Sequence, residues 1–271
     1  MLSHIKYLSS VYVAFLRVHF GISVMYRAQL VIYVLSGLLP LIMMAVWLSI
    51  ARDQPSGEVG GFSRSEFISY YLAVLVMRRL CGVWIIWDID EDIRLGRLSS
   101  KLLRPIHPAH NYLAMGVTDK PVEMAFLLPP VVVAVWLTGA TYDFSPLNLF
   151  YVSLAILGAI GIEYGVSMAV GALGFWITQT VSVMEIWFYS RAFLSGWIIP
   201  IALFPEGLQQ ALIYLPYRYV LSFQIEIAMG QLTPSEIWQG FLIQWLWVAV
   251  LSVGFQYLWS IGIKRFSAVG A

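Results

Sequence analysis

Apolar residues fall in long blocks separated by short polar intervals. The blocks are too long and too uniform for the one-sided pattern of a soluble helix or strand. A helix crosses a hydrocarbon core with about 17–25 mostly apolar residues. Blocks of that kind occupy 28–50, 66–87, 121–138, 146–175, 181–199 and 237–263, so six spans are predicted. Pro129 and Pro130 stand inside the third and should bend it. The turn WITQT (176–180) alone parts the fourth from the fifth. In the fourth, Gly161, Gly165 and Ala169 recur at every fourth position, a ridge on which a second helix, ordinarily of the same chain, packs closely.

Two other segments are apolar without reading as spans. In residues 1–27, Lys6, Ser10 and Arg17 cluster on one side of a helical wheel, with Leu8, Val11, Phe15, Val18 and Ile22 opposite. That pattern predicts an amphipathic helix lying along the membrane surface, with a tilted extra span as the alternative. It lacks the cleavage site of a signal peptide. Residues 195–236 begin SGWIIPIALFPEGLQQALIYLPYRYV, where Pro200, Pro205, Gly207 and Pro216 cut the run into pieces too short to span. Short helices that enter the outer leaflet and return fit better, provided protein or a cavity satisfies the broken backbone.

Composition agrees with the pattern. Charged residues make up 11% of the chain and hydrophobic ones 60%, against about 25% charged in soluble domains. An all-α polytopic membrane protein follows, with residues 1–271 as one domain. The net charge of +1 gives no reason to expect a nucleic-acid partner. Lys6, Arg17 and Arg27, the cations of the loop at 88–120 and the terminal Lys264 and Arg265 fall on one side of six spans. The other side mixes Arg52, Arg64 and Arg218 with six acidic residues. Both termini are therefore expected in the cytoplasm, in a cell (inner) membrane.

The loop after the second span reads WDIDEDIRLGRLSSKLLRP and concentrates Arg94, Arg97, Lys101 and Arg104 within eleven residues. Asp88, Asp90, Glu91 and Asp92 at its start and Lys101 and Arg104 near its end suit the two poles of a helix, and Pro105 stops it. Leu95, Leu98 and Leu102, spaced i, i+3, i+7, form an apolar stripe. Positive-inside topology accounts for the charges. Charges and stripe together predict docking on the headgroup layer or on another protein. Gly96 marks either a break in the helix or a close approach.

DIRLGRLSSKLLRPI (92–106) and SGWIIPIALFPEGLQQALIYLPYRYV (195–220) resemble, in order, the stretch after span two and the outer hairpin of type-2 ABC exporter permeases. These are membrane subunits that work with a separate ATPase. The leading amphipathic helix and six spans match as well, so the resemblance covers almost the whole chain. It implies that the first loop is a coupling helix in a groove of the ATPase, with Ile93, Arg94, Leu95, Arg97, Leu98, Lys101, Leu102 and Arg104 at the contact. It also implies an ABC ATPase partner that carries ATP and Mg, no cofactor on this chain, a second permease chain (identical or paralogous) and surrounding membrane lipids. Trp197, Pro200, Phe204, Pro205, Tyr214, Pro216 and Tyr217 would form an outer gate; the same aromatics equally suit an interfacial belt.

No G-x-x-x-x-G-K-[ST] occurs that could cradle nucleotide phosphates. His107 and His110 have no carboxylate or cysteine nearby in sequence to complete a site. Cys81, the one cysteine, has no partner for an intrachain disulfide. The alternative function is an ATPase-independent secondary transporter or channel, which predicts inverted repeats and helices broken at mid-membrane; no repeat is visible.

Arg78 and Arg79 fall near the middle of span two, where each charge costs about 2.5–3.5 kcal/mol or more, and the family pattern does not require them. Glu163 and Glu185 are candidate counter-charges, and Arg191 a candidate partner for an acidic substrate group. Three readings stand. They are a buried ion-pair network, a shorter span with the arginines at the cytoplasmic headgroups, or a wet pathway meeting an anionic, lipid-like or glycan substrate.

Overall fold

The structure, a computed structural model, describes residues 2–25, 37–55 and 57–266. The start of the expected first span (28–36), Arg27 and the side chains of Lys6, Leu8, Ser10 and Ile22 lie outside the described residues. Regular structure among the described residues is helical apart from one antiparallel pair, β1 (Glu58–Val59) with β2 (Phe62–Ser63), in register Val59 to Phe62.

The helices are α1 (Leu2–Met25), α2 (Leu39–Asp53), α3 (Arg64–Cys81), α4 (Ile86–Arg94), α5 (Leu98–Leu102), α6 (Pro108–Thr118) and α7 (Lys120–Thr138). They continue with α8 (Pro146–Ala172), α9 (Thr180–Leu194), α10 (Glu206–Tyr214), α11 (Pro216–Tyr219), α12 (Ser222–Ala228) and α13 (Pro234–Gly262). Local chemistry sets many of these starts. Ser63 and Glu66 close a capping box on α3, and Thr233 and Glu236 close another on α13. Ser145 caps α8, with Pro146 in its first turn.

Among the described residues, three helices are long and apolar enough to cross a membrane: 108–138 taken through the bend at Asp119, 146–175, and 234–262. The protein is an all-α, multi-pass membrane protein. The second and fifth predicted spans come out shorter than expected, helical only to Cys81 and Leu194; of the first, the described part is α2, which runs to Asp53. The helix of the third runs on through Pro129 and Pro130.

Two helices organise the interior. On α3, Phe67, Tyr70, Tyr71, Leu72 and Val74 are buried, and this helix packs on α2, α7, α8 and α12. On α8 the glycine ridge receives α13. A Cβ on Gly161 would come within 2.9 Å of Val248, and one on Gly165 within 2.8 Å of Leu251. The ridge thus serves packing within the chain, and Gly158, against the side chain of Gln244, extends it. Gly165→Leu is expected to force α13 away and to destabilise the protein by about 1–3 kcal/mol, read as a fall in melting temperature in detergent.

α1 docks on α6. The Tyr12 hydroxyl meets His110 Nδ1 at 2.6 Å, and His19 Nε2 lies 3.4 Å from Asn111 Oδ1. Of the predicted apolar face, Val11 and Phe15 are half-buried and Val18 is exposed, and Val13, Leu16 and Phe20 are exposed as well.

Candidate functional site

The segment after α3 folds as two short helices rather than one. They are divided at Gly96, whose φ of +71° is a conformation that L side chains avoid at a cost of about 1–2 kcal/mol. A Cβ there would meet nothing within 4 Å, so the glycine makes a turn and not a close approach. The turn changes which leucines share a face. Leu98 is fully buried, and Ile93 nearly so, in a cluster with Ile85, Ile89, Tyr112 and Trp259. Both belong to the interior, which takes Leu98 out of the predicted stripe and Ile93 out of the implied contact set. Leu95 (45% exposed) and Leu102 (37%) remain outside and are joined by Leu103 at 88%. Leu103 was missed because it sits off the i, i+3, i+7 spacing.

The acidic start of the segment braces it. Asp92 accepts hydrogen bonds from Lys101 and, at 2.5 Å, from the Tyr112 hydroxyl, clamping α4, α5 and α6 together. Glu91 pairs with Arg97 at 2.7 Å and Asp90 with Arg94 at 3.4 Å. Asp90 also accepts from Thr180 through its hydroxyl (2.6 Å) and backbone N–H (3.3 Å), satisfying donors at the start of α9. The side chains of Arg94 and Arg97 keep 54% and 56% exposure, whereas that of Lys101 is drawn in to 19%. The surface left facing outward is therefore Arg94, Leu95, Arg97, Leu102, Leu103 and Arg104.

This surface is rigidly seated. Ile89 lies against Gly171 of α8, where an added Cβ would come within 2.6 Å. Trp84 and Trp87 stack with Phe188 of α9, with centroids 5.0–5.9 Å apart. α4 is thus in contact with α8 through Ile89 and Gly171, and with α9 through Trp87 and Phe188. His107 begins the next helix: its Nδ1 accepts from Ala109 N at 3.1 Å. Burial, then neighbouring His110, holds the His107 imidazole below its ordinary pKa, favouring the neutral acceptor that a cap needs. Among the described residues no His, Cys, Asp and Glu group is placed to hold a metal.

Deeper in the bundle, α3 ends at Cys81 and the chain is non-helical through 82–85 before α4. Arg78 and Arg79 occupy its last turn. A helix ending in the bundle exposes carbonyls that lipid cannot satisfy. The Lys120 ammonium answers them, donating to the carbonyls of Arg79 (3.1 Å) and Gly82. Lys120 had counted as a loop cation, but it is buried.

The counter-charges sort differently from expectation. Glu163, 1% exposed, pairs with Arg191 at 2.5 Å and accepts from Trp187 Nε1 at 3.4 Å. Arg79 pairs with Glu123 at 3.7 Å, and Arg78 lies over the Trp197 ring, 4.5 Å from its centroid. Glu185 is exposed.

In the segment after α9, Pro200 and Pro205 precede the 3-10 turn 201–203 and α10, and Pro216 opens α11. Its broken backbone is met by side chains of other helices. Gly196 O accepts from the Tyr70 hydroxyl (2.7 Å), Ile198 O from the Tyr71 hydroxyl (2.7 Å) and Trp47 Nε1 (3.3 Å), and Ser195 O from Ser222 (2.8 Å). Pro200 and Pro216 are buried, Phe204 is half-buried, and Pro205 and Tyr214 are exposed. Tyr217 stacks on Trp187 at 5.0 Å. Trp197 stands apart from these, on Arg78.

A comparison with curated proteins returns no match. The sequence pattern of a family described as "ABC-2 family transporter protein" matches residues 38–270, everything from the start of α2 to the end of α13 and beyond. With most of its length under that pattern, the chain belongs to the ABC-2 transporter family and is a type-2 ABC permease.

Proposed function

We propose that this chain is one permease half of an ATP-driven exporter in the cell (inner) membrane. It crosses with six helices, keeps both termini in the cytoplasm and faces a second permease chain, identical or paralogous. ATP and Mg are bound on two copies of a separate ABC ATPase. The observation that carries the proposal is the rim Arg94, Leu95, Arg97, Leu102, Leu103 and Arg104. It is apolar and basic, braced from within, and attached through Asp90–Thr180 and Ile89–Gly171 to helices of the bundle. Closure of the ATPase pair pushes this rim, and α8 and α9 carry the movement inward. A self-powered transporter would share the break at 82–85, but membership of an ATPase-dependent family favours the first reading.

The segment 195–236 acts as a re-entrant outer lid closing the pathway. Cysteines placed singly at 205–210 in a Cys81→Ser background are expected to react with a membrane-impermeant maleimide added from outside. Reaction only from the cytoplasmic side would reverse the topology. The functional test is co-purification with the ATPase. Two permease chains per two ATPases are expected, and a single permease per ATPase pair would refute the assembly.

A further inference from the structure

One groove joins an apolar wall to an unbalanced charge. It lies between α2, α3 and α7, has a volume of about 170 Å³, and is lined by Leu38, Leu41, Leu72, Leu75, Leu127 and Val131, with Arg78 and Arg79 at one end. Arg79 is held by Glu123. Arg78 has no ion-pair partner among the described residues: Glu163 is engaged by Arg191 at 2.5 Å, and Glu123, the carboxylate that acts on it, is paired with Arg79. Its guanidinium lies over the face of Trp197. Arg78 and Trp197 also line a small inner cavity with Glu163 and Arg191, and Trp197 Nε1 is a buried donor without an acceptor among the described residues. A guanidinium removed from water without a counter-charge is costly, and an anion delivered to it removes that cost.

The walls restrict what can deliver the anion. A small inorganic ion gains nothing from six aliphatic side chains, and a glycan would leave its hydroxyls unpaired against them. A molecule with an acidic head and a hydrocarbon tail satisfies both ends. We propose that Arg78 and Arg79 bind the acidic headgroup of an amphiphile whose acyl chain lies in the groove between α2, α3 and α7. Binding is a property of this chain alone. That the amphiphile is also the transported substrate class rests on the permease reading.

The chain purified in maltoside micelles is titrated with a long-chain carboxylate bearing a fluorophore at its tail. Oleate is expected to displace it, and oleyl alcohol and acetate are not, since each lacks one of the two ends. Arg78→Gln should weaken binding about tenfold to a hundredfold. Arg78→Lys should stay much nearer the parent, and Leu41→Trp should block the groove with the charges in place. The melting temperatures of all variants are measured alongside. Displacement by phosphatidylglycerol as well as oleate assigns the site to membrane phospholipid, and displacement by oleate alone to a single-chain amphiphile; either supports the proposal. Equal competition by oleyl alcohol, or parent-like binding by a folded Arg78→Gln protein, overturns it. Neither result touches co-purification with the ATPase, so the two readings fail separately.

Discussion

Replacing Leu102 and Leu103 together by Asp is expected to abolish ATP-driven transport and to strip the ATPase from the purified complex. Membrane insertion and yield should be unchanged. Both side chains are exposed, Leu103 at 88% and Leu102 at 37%, and neither belongs to the buried core, so the folded chain loses little packing. Burying a leucine side chain fully contributes about 1.5–3 kcal/mol. The pair therefore weakens the contact by roughly three orders of magnitude, before repulsion or desolvation of the new carboxylates is counted. Co-purification at graded ATPase concentration measures it. Leu98→Asp looks similar in sequence but asks a different question. It puts a charge in the buried cluster with Ile89 and Trp259, and its expected result is loss of folded protein.

Glu163→Leu is expected to destabilise the bundle by about 3–5 kcal/mol, the cost of leaving the Arg191 guanidinium buried without its partner. The double replacement Glu163→Leu with Arg191→Met should recover most of that loss, because two apolar side chains that fill the space need no counter-charge. Melting of the single and double variants in detergent decides it. If the double variant is no better than the singles, the pair is not the source of the stability. If the double variant is stable yet exports nothing, the pair has a role in the transport cycle beyond holding α8 to α9.

Hydropathy and glycine spacing carried much of the fold because both act over whole helices. The ridge at Gly161 and Gly165 foretold a close helix pair, and α13 is its partner. The prolines at 200, 205 and 216 foretold a run cut into pieces, and each stands at the start of a short helical piece. Hydropathy failed where a span is interrupted without a change in composition. GVWI at 82–85 is as apolar as a helix, and nothing local announces that Lys120, far along the chain, caps the break. The same limit hid the sorting of the charges. Which carboxylate meets Arg191 depends on the crossing of α8 and α9, which spacing along one helix does not encode. In the segment 92–106 the residue types were legible but their faces were not. A single left-handed glycine turned Leu98 inward and left Leu103 outside. Gly96 was visible in the sequence; its φ was not.

The central claim is that the rim between α4 and α6 touches the ATPase. A photoreactive benzophenone side chain in place of Leu103, in membranes where the chain is expressed with its ATPase, tests this directly. The account predicts a crosslinked product of permease and ATPase on illumination, lost when Leu102 is also replaced by Asp. Crosslinking to lipid alone, in complexes that still contain the ATPase, would contradict it.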